Sequence, residues 1–148
     1  MIAEGPSLEL LAWCLCVLGL GFGVYLGGRG LADPHWAQKV ARLKPDERGG
    51  GFAEFRAVYG GLFLGLHLVA LMLALAWILR GGGVVGTTAI GAIAVISAAW
   101  GGAGAGRTIS IMRDPGVQTP FNRLSVLVEI VMALLIGAPW FFWMAGLS

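Results

Sequence analysis

Four stretches of this chain are each long and apolar enough to cross a bilayer, and they leave little sequence for anything else. They cover about residues 8–26, 57–79, 84–106 and 121–144, against the roughly 20 residues that a spanning helix needs. Only 12% of the residues are charged and 57% are hydrophobic, whereas soluble domains carry about a quarter charged residues. Lipid therefore replaces water as the solvent for most of the chain. The link between the second and third runs is only Arg80-Gly81-Gly82-Gly83, which forces an antiparallel hairpin. The expected fold is an all-α membrane protein. It has four transmembrane helices packed as an antiparallel bundle in one integral domain over 1–148, plus a short amphipathic interfacial helix.

The basic residues orient the spans. Arg29, Lys39, Arg42, Lys44, Arg48 and Arg56 lie between the first two spans, and Arg107, Arg113 and Arg123 lie between the last two. Arg80 stands alone on the other side. Lys and Arg collect in cytoplasmic loops, so both basic loops are expected inside and both termini outside. Pro139 and the cluster Trp140-Phe141-Phe142-Trp143 then fall at the outer interface, where such aromatics anchor a span. The N-terminus carries Glu4 rather than a basic n-region, so no cleavable signal peptide is expected. Cys14 and Cys16 point about 200° apart on a helix and read as small apolar residues.

The first basic loop has its own pattern. Asp33-Pro34 is a helix cap followed by proline at the first helical position. Trp36, Val40 and Leu43 recur at helical spacing among Lys39, Arg42 and Lys44, and Pro45 ends the run. Residues 34–44 are expected to form an amphipathic helix on the inner membrane surface; the alternative is a plain solvated loop. Gly49-Gly50-Gly51 reads as a flexible joint.

Glycine carries the packing argument. Gly19, Gly23 and Gly27 form a stripe on the first span, Gly61 and Gly65 on the second, and Ala94, Ala98, Gly102 and Gly106 on the third. Small residues at this spacing let helices approach closely in lipid. Because four helices need not use every stripe internally, some are available to a second copy or a larger membrane complex. The third stripe ends one residue before Arg107, so Gly106 is expected to let the helices touch where charges meet.

Those charges are the polar puzzle of the chain. Glu129 lies nine residues past Pro120, about 13 Å into its helix. A charge at such depth costs about 3 kcal/mol, so it must be paired, protonated or wet. With the turn centred near Gln118, Arg107 lies as far before the turn as Glu129 lies after it, which gives the two equal depth. Arg56 is the next candidate partner. On the second span Arg56, Tyr59, Gly60, Phe63 and His67 share one face at helical spacing, with Ser110, Asp114 and Asn122 capping the site from the cytoplasmic side. The functional reading is a cytoplasm-facing polar pocket of Arg56, Tyr59, His67, Arg107, Ser110, Asp114 and Glu129. The structural alternative is an internal ion pair that fixes helix docking, with His67 a core histidine bonded to a neighbouring carbonyl or hydroxyl.

Other chemistry finds no support in the residues. His35 lies at the wrong depth to be a second haem ligand with His67. No HExxH, CxxC pair or carboxylate cluster points to a metal, and no cofactor is expected. Residues 101–106 form a packing stripe rather than a phosphate cradle, and no catalytic triad can be built on one membrane histidine. The basic loop is explained by topology and anionic membrane lipid, with no nucleic acid implied.

The stretch from Phe55 to Gly65, Phe55-Arg56-Ala57-Val58-Tyr59-Gly60-Gly61-Leu62-Phe63-Leu64-Gly65, resembles the start of the second helix in a bacterial family of small four-span membrane proteins, domain of unknown function 4345. Gly106-Arg107, Ser110, Asp114, Pro120 and Glu129 are similar to its second motif. The family turn places glycine directly after the aspartate, where this chain has Pro115 before Gly116. The resemblance implies four spans in a bacterial inner membrane, with Arg56, Arg107 and Glu129 as polar positions, and it supplies no activity. Three functions are open. The favoured one is a binding or accessory protein that holds a lipid-like or amphipathic molecule, or a partner helix. The second is a proton-coupled transporter using Glu129, although Arg107 would hold that carboxylate charged. The third is a thiol- or lipid-modifying membrane enzyme, disfavoured because Gly60 and Gly61 stand where such enzymes carry polar groups.

Overall fold

The computed structural model describes residues 8–44, 47 and 50–146. Glu4, Pro45, Arg48 and Gly49 lie outside the described residues, and so do the expectations placed on them. The described residues form five helices and no strand. These are α1 (Leu8–Ala32), α2 (Pro34–Ala41), α3 (Gly51–Arg80), α4 (Gly83–Arg113) and α5 (Pro120–Met144). All but α2 are long and apolar enough to cross a membrane, with 25, 30, 31 and 25 residues in chain order. Leucine, valine and methionine side chains such as Leu66, Val69 and Met72 stand exposed along α3. In water these would form a large apolar patch; in lipid they are solvated.

Four boundaries differ from expectation, and the first is that α3 starts at Gly51 rather than near 57. α1 continues to Ala32 rather than ending near 26, and α2 stops at Ala41 because Arg42 takes a left-handed conformation, φ 58°. α4 runs on to Arg113. At 1.5 Å per residue its 31 residues reach about 46 Å, well beyond a hydrocarbon core of about 30 Å. Hydropathy marks where lipid would end, and hydrogen bonding lets the helix continue past it. The Thr108 hydroxyl donates to the Gly104 carbonyl at 2.7 Å, and the Asp114 amide closes the last turn on the Ser110 carbonyl at 2.8 Å.

The chain divides into two compact units, Met1–Gly19 with Leu73–Ser148, and Leu20–Met72. In the first, α4 and α5 form the hairpin. It turns at Gly116 (φ 82°), and α5 starts where Thr119 Oγ1 accepts the Asn122 amide, with Pro120 in the first helical position. Ile93, Ile96, Met132 and Ile136 are buried there, and the Ser97 hydroxyl donates to the Ala133 carbonyl at 2.8 Å. Gly19 of α1 packs on Ile136, and Trp13 lies 5.8 Å from Trp77 between ring centroids.

In the second unit, α1 and α3 approach through glycine. A Cβ at Gly23 would fall inside the His67 ring, one at Gly27 on the Leu64 backbone, and one at Gly30 on the Tyr59 carbonyl. From the α3 side, a Cβ at Gly60 would meet the Leu31 backbone at 2.7 Å. Gly60 rather than Gly61 or Gly65 is therefore the contact glycine of α3, since Gly65 faces open space. α2 sits beside the start of α3, with the His35 and Phe52 rings 4.4 Å apart. The Asp33 carboxylate caps α2 by accepting the Trp36 amide at 3.1 Å, and the Arg29 guanidinium lies 5.4 Å from the Trp36 ring centre.

Candidate functional site

The hairpin places Arg107 and Glu129 together. Arg107 Nη2 donates to Glu129 Oε1 at 2.7 Å, and Arg107 Nε donates to both carboxylate oxygens at 3.0 and 3.1 Å. Planar guanidinium and planar carboxylate meet edge to edge, the strong form of a charge-assisted bond. Glu129 is buried at 7% exposure, while the Arg107 side chain remains 36% exposed. Glu129 thus anchors the arginine from inside, and part of the Arg107 side chain stays accessible.

The close approach is made by Gly104 and not by Gly106. A Cβ at Gly104 would touch Glu129 Cβ and Ile130 Cγ1 at 3.4 Å, whereas one at Gly106 would meet nothing within 4 Å. The buried row on α4 passes through Ile93, Ser97, Gly101 and Gly104, and the expected row of Ala98, Gly102 and Gly106 lies exposed beside it. α4 carries small residues on adjacent faces, so spacing alone selects the wrong one. The sequence also missed Ser97, whose hydroxyl ties the two helices; an interior serine far from any loop is the signal that marks it.

Below the pair, the Ser110 hydroxyl donates to Asp114 Oδ2 at 2.5 Å. Asn122 Nδ2 donates to the Val117 carbonyl at 2.7 Å, and Gln118 Nε2 to the Ile111 carbonyl at 3.1 Å, which fastens the turn to both helices. A concavity of about 390 Å³ opens here, lined by Arg107, Ser110, Ile111 and Asn122 together with the small residues Gly102, Ala103 and Gly106. The exposed glycine row is thus part of the lining of a recess.

Arg56, Tyr59 and His67 belong to the other unit. His67 is buried, and its Nδ1–H donates to the Phe63 carbonyl at 2.8 Å. Arg56 is exposed and Tyr59 is 42% exposed, its ring beside Phe55. They do not share the face of His67 as helical spacing requires, because Phe55–Leu62 is wound as a π-helix. The Phe63 amide reaches back to Val58, five residues earlier, so each π turn holds an extra residue. Phe55 and Gly60, five apart, fall on the buried face, and the four residues between them face outward. Gly60 and Gly61 have no side chains to crowd the widened turn.

Long apolar helices, an ion pair with a buried carboxylate and a hydrogen-bonded turn together define an all-α, multi-pass membrane protein. No protein-family model, curated protein or solved structure matches the chain.

Proposed function

We propose that this is a small binding or accessory protein of a bacterial inner membrane, which holds the polar head of a lipid-like, anionic amphiphile at the Arg107 recess. The observation that carries the reading is the recess itself: the part-exposed Arg107 side chain beside small residues, with Ser110 and Asn122 held in place by Asp114 and the Val117 carbonyl. Arg107 is held in place by Glu129, so an anionic oxygen that joins it meets an already ordered side chain, which lowers the ordering cost of binding. Arg113 and Arg123 flank the same hairpin, adding the positive field that draws anionic lipid. The Lys and Arg bias of the loops supports a cytoplasm-facing recess with both termini outside. The glycine row that lines it also offers a face to a second copy or a partner helix. Membership in the domain of unknown function 4345 family is part of this proposal and rests on the residues quoted from Phe55 to Glu129.

A transporter that exchanges protons at Glu129 is less well supported, because the carboxylate is engaged at both oxygens by Arg107. The deciding experiment is native mass spectrometry from neutral detergent, with phosphatidylglycerol and phosphatidylcholine of equal chain length. The wild-type protein is expected to retain phosphatidylglycerol selectively. Gly106→Leu, which fills the recess without touching the ion pair, is expected to lose it at unchanged thermal stability. Equal retention by both proteins, or no retained lipid, would refute the reading.

A further inference from the structure

At the end of the first unit remote from Arg107, four of the chain's six tryptophans converge. Trp13, Trp77, Trp140 and Trp143 line a groove of about 460 Å³, over a base that includes Gly86 and Gly91. That is within the size range of small-molecule sites. Interfacial tryptophans ordinarily stand at the lipid surface as anchors, and the terminal aromatic cluster alone would be read that way. Here Trp13 is 3% exposed, and its ring packs 5.8 Å from that of Trp77 at a tilt of 44°, so the two indoles form one joined wall of the groove. Glu9, one turn before Trp13 on α1, is the one charged residue of the lining among the described residues. The hydroxyl of Thr87, also in the lining, is spent on the Gly83 carbonyl at 2.8 Å.

Indole faces carry negative electrostatic potential and attract cations within about 6 Å, most strongly when water is excluded. A carboxylate at the rim adds to that potential. We propose that this groove is a second binding site, for a single-tailed organic cation: a quaternary or tertiary ammonium with an apolar body, its charge held between the tryptophan rings of the lining and the Glu9 carboxylate. The charge balance selects against a phosphocholine lipid. Such a headgroup brings a phosphate next to its ammonium, and among the described residues the lining has no Lys or Arg to receive it.

The test is isothermal titration of the full chain in neutral maltoside micelles with hexyltrimethylammonium, hexylphosphocholine and 1-hexanol. Saturable binding of hexyltrimethylammonium is expected, tighter than either comparator by about tenfold, on the scale of desolvated cation–π contacts. Glu9→Gln and Trp143→Leu are each expected to weaken it by about fivefold or more at unchanged thermal stability, since Trp143 is largely exposed. Equal affinity for 1-hexanol would show a merely apolar groove. Tighter hexylphosphocholine would show a lipid site. Either result, or no binding, or indifference to both substitutions, overturns the proposal.

Discussion

Gly23 lies so close to the His67 imidazole that any side chain there would overlap the ring. The ring cannot swing away freely, because its Nδ1–H is held by the Phe63 carbonyl. α1 and α3 therefore meet at backbone distance along Gly23, Gly27 and Gly30, and His67 is a packing element of that seam. This is the arrangement dispersion favours in lipid, where burial of apolar surface drives nothing.

Gly23→Ala is expected to destabilise the protein by about 1–3 kcal/mol, the usual range for overpacking. Gly21→Ala is the control: a Cβ at Gly21 meets nothing within 4 Å, and alanine is the better helix former. Unfolding in mixed micelles should separate the two. Equal stability of both variants would mean that the seam is looser than the structure has it.

Arg107→Met removes the partner of a buried carboxylate and is expected to lower stability by about 3–5 kcal/mol. The double variant Arg107→Met/Glu129→Met should recover much of that loss, since no uncompensated charge remains. A double-mutant cycle on unfolding reads the coupling directly. Additive losses would exclude the pair as a unit.

Gly104→Val and Gly102→Val distinguish the buried row of α4 from the exposed one. The first is expected to push α5 away at Glu129 and Ile130 and to destabilise by about 1–3 kcal/mol. The second projects into open space and should leave unfolding unchanged. If Gly102→Val instead changes the oligomeric state by crosslinking, the exposed row is an interface between copies.

Ser97→Ala removes a single interhelical hydrogen bond to the Ala133 carbonyl. Bonds of this kind in membrane proteins contribute about 0.6 kcal/mol on average, so the expected loss is small but measurable. Ser125→Ala is the comparison, because the Ser125 hydroxyl bonds only to Phe121 within its own helix.

The pair of Arg107 and Glu129 was legible because it obeys a one-dimensional rule: equal distance from a turn gives equal depth in an antiparallel pair. The cap of α2 was legible for a similar reason, since Asp33-Pro34 acts within one turn. The shared face of Arg56, Tyr59 and His67 was not, because it assumed 3.6 residues per turn and the chain winds Phe55–Leu62 wider. Nothing in Phe55-Arg56-Ala57-Val58-Tyr59 distinguishes an α turn from a π turn by local preference; Gly60 and Gly61, which follow it, only permit the wider one.

The sequence by itself determined what depends on composition and chain distance. That includes four helices fit to span a membrane, the hairpin forced by Arg80-Gly81-Gly82-Gly83, and the ion pair across the last turn. Tertiary structure decided which of several small-residue faces each helix turns toward its neighbour. It seated α1 on Gly60 rather than Gly61 and Gly65, and closed the hairpin at Gly104 rather than Gly106. The reason is physical: glycine permits close approach on every face where it stands, and only packing against a particular neighbour selects one.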